Sequence, residues 1–253
     1  MHTSQPDRNG RSYRALVAGA TGLVGSELVQ QLLTDPQCSH ITVMARRPLS
    51  NGAFPSAAAG KLTVIVADFD RLEEALAGVR ADVMFCALGT TIRTAGSQEA
   101  FRKVDYEYPV RLGGWAADNG VGAMIVITAL GASSTSSVFY SRVKGETEEA
   151  LASCGLEELH VLRPSLLLGK RAEFRLVERG VVLLSPLMKL LTVGPLRKYR
   201  PITDAAVASA MRGAASGEAK QLASTAKGTV WVYENDQIAA AAIKVQQAGG
   251  AGV

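Results

Sequence analysis

The sequence has no apolar run long enough to cross a bilayer, no cysteine pattern with metal-ligand spacing, no internal repeat and no low-complexity linker. Each absence closes off a class of protein. The most tempting stretch for a membrane reading, 181–196, is interrupted by Lys189 and broken by Pro186 and Pro195, and falls short of the roughly 20 residues a span requires. The three cysteines, Cys38, Cys86 and Cys154, are odd in number, and two fall in or beside apolar runs. That usage reads as buried free thiols in a reducing, cytoplasmic compartment rather than a disulfide framework, and no metal site is expected. Basic residues are scattered, and the net charge of +4 is mild, which argues against nucleic acid and suits a pocket for an anionic cofactor. The polar residues 1–13 lack the apolar core of a secretory signal and read as a disordered lead-in, as 248–253 read as a frayed tail.

What is present is a globular composition, 47% hydrophobic and 20% charged in 253 residues, which suits one sizeable α/β domain. Short apolar, β-branched runs at 15–20, 41–45, 62–67, 82–88, 123–128 and 159–162 predict strands covered on both faces. Helical patterns at 23–33, 72–77, 98–119 (kinked at Pro109) and 140–153 lie between them. Right-handed crossovers then give a doubly wound parallel sheet, a Rossmann fold, with ligands at the carboxyl ends of its strands. After Pro164 the rhythm changes: 172–180, 181–192 and 204–217 read as helices, 229–233 as a late strand and 236–247 as a last helix. This part is read as a small helical cap over the sheet's carboxyl edge, so that 14–247 form a single domain.

The segment Ala15-Leu-Val-Ala-Gly-Ala-Thr-Gly-Leu-Val-Gly-Ser26 carries the strongest local signal. Gly19, Gly22 and Gly25 follow a strand and open an amphipathic helix. The first permits a tight turn, the second lets backbone approach a pyrophosphate, and the third packs helix on strand. Thr21, Leu23 and Val24 complete the loop and the helix N-terminus, whose free N–H groups favour phosphate. A glycine-rich turn without ligand is the bland alternative. At the end of the second strand an NAD site places a carboxylate for the ribose 2′-hydroxyl, but here Arg46 and Arg47 stand in its place. Guanidinium groups bind a 2′-phosphate that an acid would repel, so NADP (NADPH) is the expected cofactor unless the arginines are only solvated loop charges. Asp68, before Phe69, suits the adenine amino group and equally suits a turn cap. Leu88, Gly89 and Thr90 after the fourth strand can pass close to the cofactor, although simple turn chemistry explains Gly89, Thr90 and Thr91 as well.

The catalytic signal is Tyr140-Ser-Arg-Val-Lys144, whose spacing puts a phenol and an ammonium on one helical face. A nearby ammonium stabilises tyrosinate, and the phenol can then exchange a proton with a carbonyl or carbinol oxygen. Thr128 holds the position of a third, hydroxyl-bearing member; Ser133 or Ser134 can substitute, and loop capping is the alternative for all three.

Together with Val104-Asp105, Phe139-Tyr-Ser-Arg-Val-Lys-Gly-Glu146, Leu162-Arg-Pro-Ser165 and Tyr199-Arg-Pro-Ile202, these motifs make the chain resemble the atypical short-chain dehydrogenases/reductases of the TIP30 (HTATIP2)-like family, with the last two fitting its bacterial relatives. The similarity covers about residues 14–212. It implies NADPH in a groove formed by Gly19–Gly25, Arg46, Asp68, Leu88–Thr90, Tyr140, Lys144 and the loop after Pro164. It also places Asp105 where many extended relatives carry an asparagine supporting a proton relay. The function expected is an NADPH-dependent oxidoreductase acting on a small carbonyl, alcohol or sugar-nucleotide-like ligand. A non-catalytic NADPH-sensing regulator and an epimerase or dehydratase with tightly held cofactor are the alternatives. No membrane or nucleic-acid partner is expected, and a homo-oligomer or a regulatory protein partner stays open.

Overall fold

Strands that are apolar on both faces need cover on both faces, and the sheet meets that demand with two separate cores. The structure, a computed structural model, describes residues 12–49, 54, 60–168 and 198–250. Strands β1 (Tyr13–Ala18), β2 (Cys38–Ala45), β3 (Leu62–Val66), β4 (Val83–Cys86), β5 (Ala123–Ile127), β6 (Leu159–Arg163), β9 (Thr225–Lys227) and β10 (Val230–Glu234) form one sheet in the order β3-β2-β1-β4-β5-β6-β10-β9. All pairings are parallel except β10 with β9. Because side chains alternate along a strand, Ala15 and Val17 of β1 enter one core, and Leu16 and Ala18 enter the other. The first core is closed by α1 (Leu23–Thr34), α7 (Asp204–Ala215) and α8 (Asn235–Gly250), through Leu28, Leu32, Met211 and Ile238. The second is closed by α2 (Leu72–Ala75), α5 (Tyr108–Asp118) and α6 (Phe139–Ala152), through Leu72, Leu112 and Leu151. The chain leaves β1 towards β2 on one side and reaches β4 on the other, so the sheet's switch point lies between β1 and β4. Ligands of open α/β sheets sit at that crevice.

Several expectations change in detail. The single helix expected over 98–119 is three consecutive pieces: α4 (Gln98–Arg102), a π-helical turn (Lys103–Glu107) and α5, preceded by the short α3 (Ile92–Ala95). Proline is the physical reason. Pro109 has no N–H to give the carbonyl of Asp105 four residues earlier, so the ladder is re-paired there. The Thr147 hydroxyl of α6 supplies the missing donor, sharing its hydrogen between the Asp105 and Val143 carbonyl oxygens, each 2.8 Å away. Strand β9 was not expected, nor was the two-stranded pairing of β7 (Leu167–Leu168) with β8 (Ile202–Thr203). Both are too short to leave a periodic pattern. Within the expected cap region, α7 and α8 instead join the helix layer beside α1, and β10 and β9 extend the sheet. The helices expected at 172–180 and 181–192 lie outside the described residues. Tyr13 already belongs to β1, and α8 runs to Gly250, past the start of the expected tail.

Candidate functional site

The glycine loop between β1 and α1 separates fold requirements from ligand requirements. Gly19 has φ +92°, and a Cβ there would lie 2.4 Å from the Ala87 carbonyl oxygen. At Gly25 a Cβ would lie 2.1 Å from the Gly19 carbonyl oxygen. Backbone packing therefore requires both glycines. Gly22 is different: it is exposed and extended (φ −76°, ψ 171°), and a Cβ there meets only the Gly19 oxygen at 3.3 Å. The fold makes a side chain at this position tight against one backbone oxygen but does not block it as it does at Gly19 and Gly25. Gly22 also caps α1 without a side-chain hydrogen bond, and the first turn holds no acidic residue. The N–H groups and positive dipole end are left facing the cleft, where phosphate is favoured. Thr21 is exposed beside them, Leu23 is half-buried and Val24 is buried in the core, so Val24 contributes backbone only.

A cleft of about 140 Å³ opens at the switch point, lined by Gly19, Gly22, Arg46, Phe69, Leu88 and Gly89 among others. It continues past the glycine loop into a broader groove of about 930 Å³ that Arg46 shares with Arg47. Both arginines are exposed, and among the described residues no carboxylate pairs with either. Tyr108 also lines the cleft, with its ring 5.3 Å from that of Phe69 and its hydroxyl donating to Asp70 Oδ1 at 3.0 Å. Sequence reasoning missed Tyr108, Met44, Ala45 and Val104 as lining residues. The aromatic at the start of α5, just before Pro109, is the one signal that pointed there. Asp68 takes the turn-capping role, accepting the Asp70 N–H at 2.9 Å, and it does not line this cleft. Thr91 likewise caps α3 by accepting the Thr94 N–H. Pro164 is buried, and its carbonyl accepts the Leu130 N–H at 3.0 Å. It joins two loops and does not line the described cleft.

Beneath Gly89 the site changes from backbone to charge. A Cβ on Gly89 would lie 3.6 Å from Asp105 Oδ1 and 4.0 Å from Lys144 Nζ. These two atoms are 2.8 Å apart, on side chains only 1% and 5% exposed. The Thr90 N–H donates to Asp105 Oδ2 at 2.9 Å. Burial works to lower the Lys144 pKa, but the Asp105 carboxylate, with Tyr140 beside it, more than offsets this and raises it. Burial pushes the Asp105 carboxyl up against the opposing pull of Lys144. One turn earlier on α6, Tyr140 packs its ring 5.6 Å from Phe101 and is 37% exposed. Its position leaves the phenol at the rim, with the ammonium below it.

Thr128 does not join them. It is buried, and its hydroxyl donates to Glu148 Oε1 at 2.6 Å. Glu148 also receives Arg163, whose Nη1 donates to Glu234 Oε1 at 3.0 Å. The role of oxyanion-side donor is therefore corrected: the Thr128 hydroxyl is spent in an internal network that ties β5, β6, β10 and α6 together. Ser134 donates to Glu149, while Ser133 is exposed and hydrogen-bonded to the Thr135 hydroxyl at 3.1 Å. Removing one member of a buried charged network strands its partners. Glu148→Ala is expected to cost about 3–5 kcal/mol in urea unfolding; a loss below about 1 kcal/mol would contradict the network's structural role.

The comparisons with known proteins fit this geometry. Residues 19–183, more than half of the chain, match a family described as NAD(P)H-binding. The chain belongs to that family. Its cofactor class is a nicotinamide dinucleotide, and its homologues include the FMP52 and HTATIP2 proteins. Protein FMP52, mitochondrial, of Candida albicans is 33% identical over 62% of this chain and 68% of its own length. Protein HTATIP2 of Rattus norvegicus is 34% identical over 63% of this chain and 64% of its own length. A short-chain dehydrogenase/reductase-family oxidoreductase from Burkholderia thailandensis shares the fold with a TM-score of 0.61 at 19% identity, covering 94% of this chain and 97% of that one. The family resemblance read from the motifs and the Rossmann architecture both hold. The cytoplasmic assignment does not, because the FMP52 relatives are named mitochondrial. Cysteine usage separates oxidising from reducing surroundings and cannot tell one reducing compartment from another.

Proposed function

We propose that this protein is an NADP(H)-dependent oxidoreductase of the atypical short-chain dehydrogenase/reductase type, acting on a small carbonyl or alcohol and working in the mitochondrion. The observation that carries the reading is the vertical arrangement of Gly89, Lys144 and Tyr140. A buried ammonium lies 4.0 Å from where a Cβ on Gly89 would sit, and one helical turn away on α6 stands the partly exposed phenol of Tyr140. The bound dinucleotide would supply hydride exchange at its nicotinamide. Tyr140 would deliver or accept the proton at the substrate oxygen. Lys144 would favour the phenolate by its charge and hold the adjoining ribose. With Thr128 committed elsewhere, the exposed Ser133 hydroxyl, in the loop packed against the start of α6, would assist at the substrate oxygen. The α1 N-terminus would hold the pyrophosphate, and Gly22 would let it approach.

Preference for NADPH over NADH rests on Arg46 and Arg47. A lost charge-assisted phosphate contact costs about 1.5–3 kcal/mol, so Arg46→Ala is expected to weaken NADPH about 10- to 150-fold and NADH little. Calorimetric titration of both cofactors against both proteins checks this, and equal affinity of the unmodified protein for the two would overturn it. For the activity itself, the test is NADPH oxidation against a panel of aldehydes and ketones, with Tyr140→Phe as control. Turnover that needs the phenol supports the reading, and tight NADPH binding without turnover on any carbonyl favours a sensor.

A further inference from the structure

Lys144 is buried among groups from several elements: Asp105 from the π-helical turn, Cys86 from β4 and Tyr140 from its own helix. Asp105 is the carboxylate among them, and its freedom is restricted at both ends. Its main-chain carbonyl, orphaned by Pro109, is held by the Thr147 hydroxyl from α6. Its side chain is held by the Thr90 N–H from the loop that carries Gly89. Among the described residues Oδ1 has no further hydrogen bond, and Lys144 Nζ at 2.8 Å is its counter-charge. An amide at this position would keep the Thr90 contact and lose the charge. The carboxylate therefore has a consequence that an amide could not supply.

We propose that Asp105 is a positioning residue, whose carboxylate fixes the Lys144 ammonium beneath Gly89 and keeps it charged while it holds ribose and supports Tyr140. The inference rests on the role assigned above to Lys144. Asp105 does not touch the substrate; it acts through Lys144. A lysine with raised folded pKa contributes its stabilisation below the ordinary lysine value and loses it as pH rises through the folded value. Without Asp105 the burial of the ammonium is opposed only by Tyr140 and Cys86, and the charge would be lost at lower pH.

The test follows the Lys144 Nζ signal by NMR in protein labelled with ¹⁵N-lysine, assigned by its loss in Lys144→Met, with and without NADPH. In the unmodified protein Lys144 is expected to titrate above the ordinary lysine range. In Asp105→Asn its titration should fall by at least about one pH unit, and NADPH affinity should drop about tenfold for each unit above the new midpoint. A purely structural Asp105 would lower the melting temperature and leave the Lys144 titration in place, which would overturn the proposal. Deprotonation of Lys144 below the ordinary lysine range in the unmodified protein would overturn it without any variant. If NADPH fails to bind the unmodified protein, the cofactor assignment falls, and the ligand-free titration still decides the role of Asp105.

Discussion

Replacing Tyr140 by phenylalanine is expected to lower turnover by about 10²–10⁴-fold, the contribution of a positioned acid–base group, and to leave NADPH affinity nearly unchanged. The change removes one oxygen and keeps the ring that packs on Phe101 at 5.6 Å, so the α6 N-terminus should stay in place. Lys144→Met should behave differently. It deletes the charge under Gly89 and strands a buried carboxylate at Asp105, so both cofactor affinity and turnover should fall, with a loss of stability as well. Single-turnover NADPH oxidation beside cofactor titration separates the two patterns. A Tyr140→Phe protein with full turnover would remove the phenol from the mechanism.

Gly22→Val should abolish measurable cofactor binding and leave the fold largely intact. The added branches enter the space where a pyrophosphate must meet the α1 N-terminus, but the backbone there is extended, and the first carbon meets only one oxygen at 3.3 Å. The same substitution at Gly25, where a Cβ would lie 2.1 Å from backbone, should instead unfold or expel α1. The pair of variants distinguishes a binding glycine from a packing glycine. Circular dichroism, thermal melting and NADPH fluorescence titration read both. Normal NADPH affinity in a folded Gly22→Val protein would show that the phosphates lie elsewhere.

Much of this architecture was legible because it rests on local signals. The strand runs, the glycine spacing and the Tyr140–Lys144 spacing are short-range patterns, and the elements appear where they were read, within a few residues at their ends. What was not legible depends on contacts across the chain. Thr128 carries the expected hydroxyl at the end of β5, yet nothing nearby in sequence announces that Glu148, twenty residues on, takes its hydrogen. Asp68 was left between two roles because both need the same position; its capping contact with the Asp70 N–H is a turn detail that leaves no periodic trace. Pro109 announced a disturbance in the helix but not its form, since the π-helical turn depends on a donor from Thr147, on another helix. Strand β9 spans three residues and pairs antiparallel at the sheet's edge, too short for periodicity to register. The compartment was misread for a different reason: thiol usage reports redox conditions and carries no address.

The most direct test of the central claim is the oxidation of NADPH deuterated at the transferred position by the unmodified protein, followed at the nicotinamide absorbance with a panel of small carbonyl substrates. The account predicts turnover on at least one carbonyl, slowed by deuterium and abolished in Tyr140→Phe, with NADPH preferred to NADH. Tight binding of NADPH with no isotope-sensitive turnover on any member of the panel would contradict it.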